Sequence, residues 1–163
     1  MAYQFLYEGG VQNSYYFETE FGLIYEIRFK PTPYLFGNEM QDISESVFEF
    51  GILLQFDPSL KVPREDKEIG ATVVAIFIDF YNKIGKAISI YICDSSDGRE
   101  FIRKRKFDSW FSEFNNDIFL KIDEVILDHD NRKFPISLII GKDNPFRHQI
   151  IDAFIAIAIN NSK

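Results

Sequence analysis

Arg99, Arg103, Lys104, Arg105 and Lys106 bring five cations into eight residues of a chain whose net charge is −7. Such a group is suited to holding an oxyanion, whether a phosphate, a carboxylate or an acidic partner surface. The cations follow an apolar stretch, Ala87 to Cys93, and a turn made of Asp94, Ser95, Ser96, Asp97 and Gly98, and they lead to the only tryptophan, Trp110. On a helix advancing ~100° per residue, Arg99, Arg103 and Lys106 share the side of Trp110. That arrangement aims cations at the strand end carrying Asp94, and a helix N-terminus with added arginine is an anion site. The binding surface read from this stretch is Asp94, Ser96, Asp97, Arg99, Arg103, Arg105, Lys106 and Trp110. The plainer reading pairs the arginines with Asp94, Asp97, Asp123 or Glu124, because a charge run is usually a solvated, paired face. A rival local reading turns the chain at Asp97-Gly98 and extends Arg99 to Lys106 as a ribbon.

Elsewhere the reactive residue types do not converge, and no catalytic or metal-ligating set is assigned. Cys93 is the lone cysteine, read as a small core residue at a strand end rather than a nucleophile. Asp128, His129 and Asp130 are consecutive, so on a strand they alternate faces and cannot share a metal. His148 has no second ligand at metal spacing, and neither histidine has a Ser or Cys partner. Asp123 and Glu124 fall on opposite faces of their strand.

The elements that must position these residues are legible in the periodicity. Tyr15 to Thr19 and Leu23 to Lys30 flank Glu20-Phe21-Gly22, a hairpin turn. Residues 31 to 46 read as a long loop, either a functional lid or a mobile excursion. Phe48, Phe50, Ile52, Leu54 and Phe56 alternate and predict one buried strand face. Ile69, Val73, Ile76, Phe77, Phe80 and Ile84 predict a helix from Asp66 to Ile84, with Gly85 as its C-terminal cap. Ala87 to Cys93 predicts a central strand covered on both faces. Asp97 with Glu100 suggests a capping box for a second helix, striped by Phe107, Trp110, Phe111 and Phe114. Strands follow at 119–127 and 134–140, and Asn144-Pro145 opens a last helix to Asn160 that is apolar almost all round. The expectation is one α+β domain over residues 1–163: a mostly antiparallel sheet of about six strands with three helices, in the order β-β-β-α-β-α-β-β-α, with a further strand possible near Tyr3 to Tyr7.

Eighteen phenylalanines and eight tyrosines in 163 residues are enough to build a core and argue against disorder. No signal peptide or membrane-length apolar run is read, so the expectation is a soluble cytoplasmic protein away from membranes. The acidic balance argues against general nucleic-acid binding.

Two resemblances add to this reading. The runs Y-I-C-D-S-S-D-G-R-E, R-K-R-K-F-D-S-W-F and V-P-R-E-D-K-E-I-G-A-T-V-V resemble a family of small uncharacterised proteins from Bacteroidetes, over most of the chain and with no implied activity. The element order from Tyr15 is similar to that of the GNAT acyltransferases. That resemblance implies a coenzyme A pyrophosphate loop before the first long helix, carried here by Arg64, Lys67, Gly70, Ala71 and Thr72. Only Gly70 fits the family pattern itself, and Glu65, Asp66 and Glu68 put negative charge where a pyrophosphate would lie. The tyrosine used by that family as general acid has no counterpart, with Phe107 and Trp110 near its place. The expected function is therefore a non-catalytic or degenerate GNAT-like domain, without a cofactor, that binds a protein partner or itself. Acyl-CoA-dependent acyl transfer is the alternative, and phosphate or nucleotide recognition by the basic turn a third.

Overall fold

A computed structural model describes residues 1–37, 40–58, 65–93 and 98–161. Seven strands, β1 (Phe5–Gly9), β2 (Ser14–Glu18), β3 (Ile24–Pro31), β4 (Val47–Phe56), β5 (Ile88–Ile92), β6 (Phe119–Leu127) and β7 (Lys133–Gly141), form one sheet in the order β1-β2-β3-β4-β5-β7-β6. Every neighbouring pair is antiparallel except β4 with β5. A parallel pair needs a long crossover, and α2 (Lys67–Lys83) supplies it. The remaining helices are α1 (Gln41–Ser44), α3 (Glu100–Phe114) and α4 (Arg147–Asn161).

The helix α2 forms because its apolar residues repeat along one side. Ile69, Val73, Ile76, Phe77 and Phe80 are all buried against one face of the sheet. Asp66 caps its N-terminus, accepting a hydrogen bond from Glu68 N–H at 3.0 Å, which satisfies one of the orphan donors every helix start carries. Phe77 is the hub: its ring contacts Phe29 and Phe50 of the sheet, Phe107 of α3 and Phe119 of β6. Phe80 stacks on Phe29 with ring centroids 3.8 Å apart. Tyr15 donates to Asp79 at 2.7 Å, and Lys83 pairs with the same carboxylate. A second core on the opposite face joins Val47, Ile88, Ile90 and β7 residues to Ile150 and Phe154 of α4.

Several expectations change. The sheet has seven strands rather than six, because β1 pairs with β2 along Phe5 to Gly9. Among the described residues there are four helices rather than three. Within the described part of 31–46 the expected loop is interrupted by α1, and Ile43, Leu35, Phe36 and Met40 pack into the second core. Gly85 is not a left-handed cap; Ile84 ends α2 without a positive φ, and Gly85 has none either. The basic segment is helical, so the ribbon reading of Arg99 to Lys106 fails. Asp97, the expected capping-box residue, lies outside the described residues. Asn144 does cap α4, accepting from Phe146 N–H at 2.9 Å. The helix begins two residues after Pro145, and it buries one side only, with Ile159 52% exposed. The β4 stripe is buried only in part, since Phe48 and Phe50 lie in the core while Leu54 and Phe56 are 48% and 53% exposed.

Truncating the hub should be costly. Phe77→Ala is expected to lose about 3–5 kcal/mol, as large aromatic-to-alanine changes in cores do. Urea unfolding followed by the fluorescence of Trp110 measures it, and a loss under about 1 kcal/mol would remove Phe77 from its central place.

Candidate functional site

The parallel pairing of β4 with β5 covers only Val47↔Ile88 to Phe50↔Tyr91. Beyond it β5 has one more residue, whereas β4 runs on from Gly51 to Phe56 against β3 alone. Among the described residues, no strand pairs with that side of β4 past Phe50. A cleft of about 510 Å³ opens there. Its walls are Gly51, Ile52, Leu53 and Leu54 on β4, Tyr91 and Ile92 at the end of β5, and Arg103 of α3, with Arg28, Lys30 and Glu49 on the sheet. This is why the outer half of the β4 stripe is exposed: its face lacks the strand that would complete it. Burial pushes the Tyr91 phenol above its ordinary range, so it stays protonated at neutral pH.

The charged side of the cleft is organised by a residue that the sequence reading did not single out. Glu26 alternates with Ile27 and Phe29, so it lies on the sheet face away from α2, and only 4% of it is exposed. Its carboxylate accepts from Ser14 Oγ at 2.9 Å, from Arg28 Nε at 2.8 Å and Nη2 at 3.2 Å, and from Gln55 Nε2 at 2.5 Å. The Arg28 guanidinium holds the Glu26 carboxyl below its ordinary value of 4.5, against the effect of burial, and Glu26 raises Arg28 in return. The available signal was the pair Glu26 and Arg28 two apart on one strand, opposite charges sharing a face.

The residues read from the sequence are dispersed. Asp94, Ser96 and Asp97 lie outside the described residues, as does Arg64. Arg99 stands at the N-cap of α3 and makes no side-chain cap. Arg105 and Lys106 are exposed, with Lys106 Nζ 5.3 Å from the centre of the Trp110 ring. Among the described residues of the expected basic surface, only Arg103 lines the cleft. The inward cation of this stretch is instead Lys104, which pairs with Asp108 and, at 3.6 Å, with Asp123. Lys121 pairs with the same two acids, and Ser137 donates to Asp123 at 2.6 Å. That network fastens α3 to β6. Burial alone would raise the Asp123 carboxyl, but these hydrogen bonds and cations hold it below its ordinary value.

The residues matched to a pyrophosphate loop sit within α2. Lys67 is its exposed first residue, and Ala71 is half-buried. A methyl group built on Gly70 would come within 2.4 Å of Trp110 Cδ1, so this glycine lets α3 lie close against α2. Thr72 donates to Glu68 O at 2.6 Å and accepts from Tyr3 N–H at 2.8 Å. Tyr3 also donates to the capping carboxylate of Asp66 at 2.7 Å, and burial and that contact push its phenol up to about 12. Gly70 and Thr72 thus serve helix packing and the N-terminal arm. Cys93 is buried, and burial pushes its thiol up. Among the described residues no group of three His, Cys, Asp or Glu is placed to hold a metal, and no helix is long and apolar enough to cross a membrane.

Two outcomes follow. Gly70→Ala should destabilise by about 1–3 kcal/mol through overpacking, with a shift in Trp110 emission; unchanged stability and emission would show that the helices separate freely. The lowered carboxyl of Glu26 contributes stability that is full above pH 4.5 and is lost as pH falls through its folded value. The stability gap between the native chain and Glu26→Gln, measured by urea unfolding, should be narrower at pH 3 than at pH 7, and an equal gap at both would refute that contribution.

The model of DUF6169, a family of unknown function, matches residues 65–156, from the start of α2 into α4. No curated protein matches the chain, and no solved structure does. The matched segment is more than half of the 163 residues and spans the crossover, the end of β5, the basic helix and the closing hairpin; the chain belongs to DUF6169.

Proposed function

We propose that this protein is a binding domain that takes an extended segment of a partner protein along the outer half of β4, in the cleft beyond the end of β5. The observation that carries the reading is the mismatch in strand length: from Gly51 to Phe56 one edge of β4 pairs with β3 and the other faces the cleft. An unpaired edge offers backbone N–H and C=O groups in register for an added strand, and flanking side chains then supply selectivity. Ile52 and Leu54 give apolar contact, and Arg28, paired with Glu26, stands with Lys30 and Glu49 on the walls.

The second reading is acyl-CoA-dependent N-acyl transfer on a GNAT-like fold. It is supported by the element order from β2 onward, which roughly matches that of the resemblance. An extended thioester carrying amides would also suit a strand edge. The acidic cap at Asp66 weighs against it, because the α2 N-terminus already holds a carboxylate.

A thermal-shift panel of strand-forming peptides and acyl-CoAs separates the two. The test variant is Gly51→Phe. Gly51 has ordinary φ, and its nearest neighbour to an added methyl is Leu53 at 3.7 Å, so the ring should fill the cleft without unfolding the sheet. Peptides are expected to raise Tm in the native chain and not in Gly51→Phe. A rise with acyl-CoA alone, lost in the same variant, supports the transferase; peptide binding indifferent to Gly51→Phe removes the cleft from either function.

A further inference from the structure

The sheet ends in two strands, β1 and β6, and a sheet edge is a template for a further strand unless something guards it. The edge of β6 is guarded. Asn115 donates to Phe119 O at 3.1 Å and accepts from Phe119 N–H at 2.9 Å, filling the place of a neighbouring strand. Lys121, Asp123 and Glu124 follow along the same edge. The edge of β1 has neither device. Among the described residues β1 pairs with β2 alone, and its centre carries Leu6 at 67% exposure beside the exposed Tyr7.

The free stretch of this edge can be read from the alternation of backbone bonds. Thr19 N–H bonds Leu23 O in the register that pairs Phe17 with Tyr25, so the odd-numbered residues of β2 bond β3 and the even-numbered ones bond β1. Leu6, opposite Tyr16, therefore turns its backbone groups inward, and Phe5 and Tyr7 turn theirs outward. Both ends of the stretch are closed. Tyr3 N–H is taken by Thr72 Oγ1 at 2.8 Å, and Gly9, at φ 79°, stands beyond a shift in register. What remains runs from Phe5 to Tyr7 and is centred on Leu6.

An isologous contact sets such an edge against its own reversed copy. With the two-fold at Leu6, Phe5 and Tyr7 of one copy exchange backbone bonds with Tyr7 and Phe5 of the other, and Leu6 lies opposite Leu6. Gln4 then faces Glu8. The aromatic pairs extend a cluster already present, in which the rings of Phe5 and Tyr7 lie 5.9 and 4.7 Å from that of Tyr15. Moving the two-fold spoils the match. At Phe5 it sets Tyr7 against Tyr3, whose N–H is in use. At Tyr7 it sets Leu6 against Glu8, and at Glu8 it sets two like charges face to face.

We propose that β1 is a self-association edge: two copies of this chain pair antiparallel from Phe5 to Tyr7 about a two-fold at Leu6, making one sheet continuous across the dimer. The occupant is a second copy because the free edge is its own complement in length, chemistry and register. The contact is separate from the cleft on β4 and does not rest on the reading of that cleft.

The test is sedimentation of the full chain over a concentration series, in which the native chain is expected to dimerise. Leu6→Glu and Leu6→Lys, at an exposed position, should each weaken the dimer by about ten-fold or more, because like charges then stand directly opposite each other. Mixing the two variants should restore it, since an acid then faces a base across the two-fold. Leu6→Cys should form an interchain disulfide under mild oxidation, because partners of this kind stand about 4.5 Å apart at Cα, within disulfide reach. Glu8→Cys should not, and the native chain, with Cys93 buried, is the control. A native chain that stays monomeric at every concentration overturns the proposal, as does a dimer unmoved by either charge. Loss in both variants without recovery in the mixture overturns the two-fold at Leu6, and so does cross-linking through Glu8→Cys rather than Leu6→Cys. Gly51→Phe should leave the dimer intact; a dimer lost there belongs to β4 and overturns its assignment to β1.

Discussion

The architecture depends on the packing of α2 against the sheet through Phe77 and Phe80. Two strands can run parallel only if the chain returns over a face of the sheet, and the return is stable only if its helix buries an apolar side there. Phe77 meets β3 and β4 on one side of the crossover and α3 and β6 on the other, so one ring links the amino-terminal meander to the closing hairpin. The site follows from the same arrangement. Because β5 enters by crossover rather than by hairpin, its length is not matched to that of β4, and the surplus of β4 becomes a cleft wall.

Charge is divided between structure and cleft in a way that net charge conceals. Lys104 and Lys121 are used up in binding Asp108 and Asp123, an interlocked set that joins a helix to an edge strand. Lys83 serves Asp79 and lies over the Tyr7 ring at 4.6 Å. Isolated exposed pairs contribute little, but charges sharing partners at a partly buried seam constrain geometry as well as energy.

Much of this was readable from residue spacing. The run Ile69, Val73, Phe77, Phe80 announced α2, and Asn144 announced α4, because both signals are local. The alternation of Phe48 to Phe56 was equally clear, yet it overstated burial: period two reveals which residues share a face, while cover depends on a neighbour many residues away. Gly70 shows the converse error. A glycine at a familiar spacing suggested a phosphate loop, whereas its reason is the ring of Trp110, forty positions on. Glu26 was passed over because a charged residue in a strand usually marks the solvent side. Only the arrival of Ser14, Arg28 and Gln55 from three strands makes it a buried anchor.

Charge on this fold is held in two settings, at helix N-termini and on the sheet. Helix N-termini attract negative charge through unsatisfied N–H groups, but at α2 the Asp66 carboxylate takes one of those groups and is itself tied to Tyr3. An incoming phosphate would have to displace that side chain and overcome the adjacent Glu68. At α4 the Asn144 side chain fills the same place. On the sheet a cation is instead held within the fold: Arg28 gives up rotamer freedom to its bonds with Glu26, so its planar guanidinium is fixed where it lines the cleft. A flexible lysine on the basic helix carries equal charge without that order, because the entropy of its long side chain has not been given up to a neighbouring strand.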